Sequence, residues 1–574
     1  SPLDRAAQAL DRGCGDDAFG SAADSHQHVD AGPWAARGDR GRNVTVTDQV
    51  HPGPGVAQLR DQVLVALALE HNLGLQVERL DPALARERVR ETWGAFDPNI
   101  VALYDRQHVE TPVASSVQSF FGTQGNQTTD DYYVYNAGVR GILPWGFGYS
   151  SGYTMQLLSS DSGFYALDKQ YTAVWRSELA VPLLRNLYWS TPDLLVRRSR
   201  VTQDITDENF RARLSDTVAL VEAAYWALAA TRALEASALK SVETASDLLE
   251  QTKVQYQVGV VSKVRVTEAE AGLAQREFDR IVRSNEAQAA QDRLLTAILA
   301  PQIADYTSTR IRTEEPTFVP YEVNAEVALE RARELRPELI AAQKAVENAG
   351  LDERYAWNQK LPELNVVGSY TNNGLSGSQK VAPGTPLGFR DDPTTPGVFD
   401  PIPVTQDDFG FPDGRWGADN DFFDAGGAHS WGVGANLVVP IGNDTLDARH
   451  VQSKILLRRA KTNLRIQEQN VTVDVRNSVR DLKSAIDGVK ASQRARIASE
   501  ETLRAEQERL RLGDSTPHTV LDYEEDLLQA ESNEIRALQV YRTAIAALER
   551  AQGTLLDKLG VEVADERDRG LGEF

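Results

Sequence analysis

The sequence predicts an internally duplicated α+β protein in which membrane-compatible β-strands are continued by very long, coiled-coil-like α-helices. Three observations carry this. The chain echoes itself: Leu75 precedes Pro98 by 23 residues and Leu339 precedes Pro362 by the same 23, with Trp93 and Trp357 each five residues before the proline. The echo continues over the 77 residues from Pro182 to Gly259 and the 73 from Pro440 to Gly513, which marks a repeated supersecondary unit. Between about Leu446 and Leu512 the helical pattern would extend roughly 100 Å at about 1.5 Å per residue, a rod and not a globular helix. Upstream of each rod the apolar period changes to two, with aromatic residues near the segment ends.

Composition narrows the function classes. The formal net charge of −22 and the pI of about 4.9 disfavour nucleic acid as a partner, because phosphates are bound by basic stripes. The single cysteine, Cys14, excludes an intrachain disulfide and a thiolate cluster. With no apolar run before it, Cys14 is not read as a lipid anchor. The chain begins at Ser1, as a processed or trimmed terminus would. No segment has the 18 consecutive apolar residues of a spanning helix, so entry into a membrane would have to be as a barrel. His26 and His28 form an HxH pair, but no further ligand lies nearby, and a solvated tail is the better reading. His51, His71, His108, His429, His450 and His518 show no metal or triad spacing, so no enzyme and no cofactor is expected.

The elements follow in order. Residues 1–60 read as a flexible or extended lead-in. Residues 61–97 form a first entry helix, with Leu67, Leu75, Val77, Leu80, Leu84 and Val89 at helical spacing and an interruption at Asp81-Pro82. Residues 98–185 hold the first β-strands. These include a hairpin over 132–158, where Tyr133, Tyr135, Ala137 and Val139 alternate up to the Pro144-Trp145-Gly146 turn and Tyr149, Tyr153 and Met155 alternate after it. A further strand puts Tyr171, Ala173, Trp175, Leu179 and Val181 on one side. A long helical hairpin spans 190–299 with its tip at 258–262. A Pro-containing linker follows at 300–325, and a second entry helix at 326–360.

The second strand region, 361–440, carries Trp431, Val433, Ala435 and Leu437 on one face and a long acidic loop over 373–429. The second helical hairpin, 444–559, has its tip at 512–517, and a tail occupies 560–574. The stripe Leu457, Leu464, Val471, Val475, Val479, Leu482, Ile486 and Val489 is a coiled-coil seam. Each rod ends at a glycine, in Val258-Gly259-Val260-Val261-Ser262 and in Leu512-Gly513-Asp514-Ser515-Thr516, where a left-handed residue ends one helix and Ser or Thr caps the next. The aromatics Trp145, Tyr171, Trp175, Tyr188, Trp189, Tyr370 and Trp431 suit a girdle at a lipid interface. The Asp pairs of the long loop match no EF-hand spacing and read as a solvated loop.

These features, taken with Asn72-Leu73-Gly74-Leu75, Phe96-Asp97-Pro98, Leu335-Arg336-Pro337-Glu338-Leu339, Leu361-Pro362, Val181-Pro182-Leu183-Leu184-Arg185 and Val439-Pro440-Ile441, resemble the TolC-type outer-membrane efflux proteins over about residues 60–560. The resemblance implies a homotrimer whose strands close one transmembrane β-barrel in the outer membrane and whose helices continue it as a coiled-coil barrel through the periplasm. Closure across subunits agrees with the rule that open strand edges do not face lipid. The resemblance also implies hairpin tips that dock a periplasmic adaptor, and through it an inner-membrane pump of an efflux or type I secretion system. It further implies an acidic periplasmic gate. Nine residues past each tip glycine stand Asp522 and Glu268; six past stand Thr519 and Arg265, so one carboxylate ring matches and a second does not. Solvated helix charge is the plain alternative for Asp522 and Glu268. The extra hairpin either widens the barrel or projects outside the cell. The competing function is a non-conducting trimeric envelope rod or adhesin.

Overall fold

The computed structural model describes residues 61–112, 127–162, 165, 167–298, 311–379, 414–423 and 428–561, together with short strand pieces at 36–38, 42–44, 57–58, 386–391 and 399–403. Cys14, His26, His28, His51 and the tail beyond residue 561 lie outside the described residues. The first entry segment is three helices, α1 (Asp61–His71), α2 (Leu73–Glu78) and α3 (Leu80–Trp93). Strands β1 (Asn99–Pro112), β2 (Gln127–Ile142), β3 (Gly148–Ser160) and β4 (Leu167–Pro182) follow, then α4 (Thr191–Gln257) and α5 (Lys263–Ile298). The second half repeats the plan with α6 (Ala325–Leu335), α7 (Pro337–Gln359), β5 (Glu363–Gln379), α8 (Arg415–Phe423), β6 (Ala428–Val438), α9 (Asp444–Arg511), α10 (Pro517–Gln552) and the short α11 (Leu555–Lys558). Helices dominate, and no helix is long and apolar enough to cross a membrane among the described residues.

The duplication reaches single atoms. Asn72 and Arg336 each stand three residues before the echoed leucine, Leu75 or Leu339, at the break between entry helices. Asn72 caps α2 through Leu75 N (3.0 Å) and donates from Nδ2 to the Ala297 carbonyl (2.7 Å). Arg336 donates from Nη1 to the Ala551 carbonyl (3.3 Å). Ala551 lies 254 residues beyond Ala297, the same offset that relates Gly513 to Gly259. In both repeats, therefore, the break in the entry segment is pinned to the same place on the return helix. The entry segment breaks at Asn72 and Arg79, not at Asp81-Pro82, because the Asn72 side chain competes with the helix for its own backbone donors. Val77, Leu80 and Leu84 are exposed; that stripe faces away from the core.

Four helices lie side by side at every level. Near the sheet the order is α3–α4–α7–α9, and toward the tips it is α5–α4–α10–α9. Two apolar cores hold the slab: Leu214, Val218, Val221, Tyr225 and Leu294 in the first repeat, and Val471, Val475, Val479, Leu482, Val489 and Tyr541 in the second. The predicted α9 seam is thus buried over its tip-side half, while Leu457 and Leu464 are half-buried. Asp474, beside the seam, is the partner of Arg336 (2.5 Å).

A buried polar knot closes the second core. Glu549 accepts from Tyr321 Oη (2.6 Å), Thr554 Oγ1 (2.6 Å) and Lys558 Nζ (3.0 Å). Burial alone would raise its carboxyl, but the bonds from Thr554, Tyr321 and Lys558 outweigh this and hold it below the ordinary carboxylate value. A lowered native pKa stabilises the fold above the unfolded-state pKa, and that contribution is lost as pH falls through the native one. Glu549→Gln is expected to lower stability by roughly 1.5–3 kcal/mol at neutral pH, the worth of bonds to a buried charge. The melting difference from the parent protein should shrink below about pH 4; a gap independent of pH would contradict the assignment.

The sheet is antiparallel throughout, in the order β6–β5–β4–β3–β2–β1. The hairpin predicted over 132–158 is therefore in the sheet as β2 and β3, each longer than expected, and paired on both sides. The region expected to be an aperiodic loop contains helix α8, which packs on Met155 and Ala173 through Ala418; Tyr153 Oη donates to Asp419.

Candidate gate and docking tips

The two tips are built alike. At the end of α4, Val260 N donates to Gln255 O (2.9 Å) and Gly259 N to Tyr256 O (3.0 Å), with Gly259 at φ +81°. At the end of α9, Asp514 N donates to Arg509 O (2.9 Å) and Gly513 N to Leu510 O (3.0 Å), with Gly513 at φ +85°. Both are left-handed terminations in which the chain reverses by satisfying its last carbonyls. Thr516 caps α10 through Thr519 N (3.2 Å), with Pro517 in the first turn. Ser515 donates to the buried Glu506, which also accepts from Arg509 (3.0 Å). Val258, Val260 and Leu512 are at least 70 % exposed, so each tip presents apolar side chains beside the turn; Val261 and Ser262 complete the first.

No atom lies within 4 Å of a Cβ built on Gly259 or Gly513. The penalty for a side chain there is conformational alone, about 1–2 kcal/mol, and larger for a β-branched one. Gly513→Val is expected to unseat the tip geometry while Gly513→Asn largely preserves it, because Asn tolerates the left-handed region. Limited proteolysis at the tip is the readout, and equal susceptibility of the two variants would contradict this reading.

The gate candidates lie on the first turns of the return helices. Asp522 is exposed on α10 with His518 at 3.3 Å. Glu268 faces Arg265 at 3.8 Å on α5. Thr519 uses its hydroxyl in the cap, 2.9 Å from that of Thr516. Within one chain, then, the predicted residues form two separate local pairs, Asp522–His518 and Arg265–Glu268, while Thr519 belongs to the cap.

The contact that joins α5 to α10 was not predicted. Arg276 is buried and donates from Nη2 to the Leu521 carbonyl (3.3 Å), with Glu525 at 3.9 Å. A Cβ on Gly272 would come within 3.1 Å of Leu521 Cδ1. Beside this crossing Glu524 is raised from its ordinary value, chiefly by burial and against the pull of Arg276. Its contribution to stability is fully present below the unfolded carboxylate pKa and is lost as pH rises through the raised native one.

At the other end of the helices, the girdle candidates divide among three levels. Trp145, Tyr188 and Trp189 meet at the junction of sheet and helices: Tyr188 N donates to Trp145 O (3.3 Å), and Arg197 covers the Trp189 ring at 4.8 Å. That junction is tied by Asn358, which accepts from Asn186 N (2.8 Å) and donates to Leu184 O (3.3 Å). Asn186 and Tyr188 both have positive φ, strain that this anchorage sustains. Tyr171 lies at the far level, in the same row as Tyr133. Trp175, Tyr370 and Trp431 sit at mid-strand, not at strand ends.

Following the pairing row by row separates the sheet's faces. One face carries Ile100, Tyr104, Tyr135, Trp175, Leu179, Tyr370, Trp431, Val433 and Leu437, all large and exposed. Ser151 and Ser177 on this face are bonded at 2.8 Å, and Trp175 Nε1 donates to Ser177 at 3.0 Å. Toward the far level the same face holds Asn372 and His429 in the row of Trp175 and is covered by α8 over Met155 and Ala173, where Ser376 Oγ donates to Gly414 O (2.7 Å). The opposite face carries Asp105, Asn136, Thr154, Arg176 and Glu178, with Asn136–Thr154 (2.7 Å) and Arg176–Glu178 (3.1 Å) bonded.

Comparison with known proteins fits this geometry. Residues 328–554 match the family model described as outer membrane efflux protein. No curated protein sequence matches. The fold is similar to that of the Campylobacter jejuni CmeC outer membrane channel (13 % identity, TM-score 0.54, 86 % of each chain). It is similar also to the open state of the Neisseria gonorrhoeae MtrE outer membrane channel (18 %, 0.54, 86 % of this chain and 89 % of that one). The third is the outer membrane protein VceC of Vibrio cholerae (15 %, 0.53, 86 % and 96 %). Residues 328–554 thus carry the sequence pattern of the outer membrane efflux protein family and 86 % of the chain shares the fold of these channels, so the resemblance to TolC-type outer-membrane efflux proteins holds.

Proposed function

We propose that three copies of this chain form a passive duct in the outer membrane of a Gram-negative-type cell, conducting substrate outward from the periplasm without catalysis. The observation that carries the reading is a pair of unclosed surfaces. Among the described residues the sheet ends in unpaired edges at β1 and β6, and it has one largely apolar and one polar face. The helical slab ends in apolar margins: Val77, Leu80 and Leu84 on the entry segment and Val264, Phe278 and Ile281 on α5 at one side, and Val451, Ile455, Ile466 and Val473 on α9 at the other. Margin against margin buries both, and edge against edge supplies the hydrogen bonds that lipid denies.

The apolar face fits a bilayer. From Leu364 to Gly374, the row of Tyr104 and Tyr135, the rows advance ten residues, about 25 Å of height at about 3.3 Å per residue and a tilt near 40°, the height of an outer-membrane apolar band. The polar face then lines water. At the tips, three copies of Asp522 converge as a cation-attracting ring, with Glu268, Arg265 and Thr519 beside it. The exposed apolar turns 258–262 and 512–516 are the docking points for a periplasmic adaptor, which couples the duct to an inner-membrane pump. A non-conducting rod would not need a face as polar as that of Arg176, Glu178 and Asn136.

Reconstitution into planar bilayers tests the reading. Discrete cation-selective conductance is expected, with selectivity and block by multivalent cations reduced in Asp522→Asn. Absence of conductance from correctly inserted protein would contradict the duct, and an unaltered selectivity in that variant would contradict the carboxylate ring.

A further inference from the structure

We infer that the hairpin β2–β3 is part of the transmembrane wall, so that each subunit contributes six strands and the assembled barrel has eighteen, as wide as the helical tube below it. The inference rests on the trimeric duct proposed above.

The hairpin is continuous with the sheet. Fourteen pairs join β1 to β2, thirteen join β2 to β3 and twelve join β3 to β4. Its faces keep the sheet's sidedness: Tyr135, Val139, Tyr149 and Tyr153 share rows with Tyr104, Ile100, Leu179 and Trp175, while Asn136, Arg140, Ser150 and Thr154 share rows with the polar side. A hairpin projecting into water would have no reason to carry a lipid-type face in register with its neighbours. Insertion of two strands also leaves β1 leaving the helices and β4 returning to them, so the helical plan is undisturbed.

The perimeters agree. Six strands spaced about 4.8 Å and tilted near 40° occupy about 38 Å of wall. Four helices packed about 8–10 Å apart occupy roughly 32–40 Å. Six strands thus stand over the four-helix slab without a step, whereas the four strands left by removing the hairpin would cover about 25 Å. For the trimer the barrel backbone is about 36 Å across, against about 24 Å for a twelve-stranded one. The outer-membrane section is then no narrower than the tube, and the narrowest point of the duct falls at the helical tips.

Disulfide trapping in the full-length protein, with Cys14→Ser as background, tests the strand count. Ala102→Cys on β1 is combined singly with cysteines at positions 430 to 436 of β6, and separately with Ser177→Cys on β4. Within the wall, β2 and β3 hold β1 and β4 about 14 Å apart, beyond disulfide reach of about 7 Å. The expected result is covalent dimers and trimers from a β1–β6 pair and no bond between positions 102 and 177. An intrachain 102–177 bond, or the absence of every β1–β6 bond, overturns the eighteen-stranded wall. Leu84→Cys with Ile455→Cys, placed on the helical margins, separates the two claims. Intersubunit bonds there together with a 102–177 bond would leave the trimer standing and defeat only the wall, and a monomer in all pairs would defeat both.

Discussion

Arginine in place of Val433 is expected to prevent stable insertion, whereas Ser369→Arg, one row away on the opposite face, is expected to be tolerated. Val433 is 71 % exposed on the apolar face in the row of Leu179 and Tyr149. Ser369 pairs with Glu178 on the polar face, where a new cation finds a carboxylate and water. An arginine on the lipid side of a barrel costs about 2–4 kcal/mol near the bilayer midplane. A trimer meets that cost three times, enough to move a marginal assembly from inserted to unassembled. The yield of trimer in outer-membrane fractions is the readout. Equal yields from the two variants would reverse or abolish the assigned sidedness.

The second large effect concerns Arg336. Its guanidinium is buried with Asp474 at 2.5 Å, Glu338 at 3.1 Å and the Ala551 carbonyl at 3.3 Å, which ties the α6–α7 break to both helices of the second hairpin. Burial works against the charge, but Glu338 and Asp474 more than compensate, so the group is raised above its ordinary value. Arg336→Ala leaves the carboxylates facing an empty site and is expected to cost about 3–5 kcal/mol, as does breaking other buried pairs. Arg336→Lys should recover little, since a point charge cannot reach three acceptors in a planar fork. Asn72→Ala, at the equivalent place in the first repeat, removes a neutral cap and should cost only about 1 kcal/mol. Denaturation midpoints of the three variants decide this; a similar loss from Asn72→Ala and Arg336→Ala would show that burial, not the charge network, holds the break.

What the sequence disclosed follows from how local each signal is. The tips were legible because glycine, Ser or Thr and proline act within four residues, and the strands at Tyr171 and Trp431 because only one of their faces is apolar. Strand β1 gave a weak signal: Ile100, Ala102 and Tyr104 on one face are interleaved with Val101 and Leu103 on the other, so no period of two stands out. The break at Asn72 was hidden because Leu73-Gly74-Leu75 continues the apolar spacing, and only the side chain's bonds to Leu75 N and the Ala297 carbonyl show why the helix stops. Arg276 was illegible for a different reason. Its role depends on the rotation of α5 against α10, which places it under the Leu521 carbonyl, and no spacing along either helix encodes that. The duplication was visible as paired intervals, yet its physical basis, equivalent donors meeting Ala297 and Ala551, is a long-range fact.

The most direct measurement is an electron cryomicroscopy reconstruction of the detergent-purified, full-length protein. Three chains around an unfilled, water-accessible axis are expected, with β1 of one chain beside β6 of the next and α9 against the neighbouring α3 and α5. A single chain with its apolar margins bare, or an axis packed with side chains along its whole length, would contradict the account.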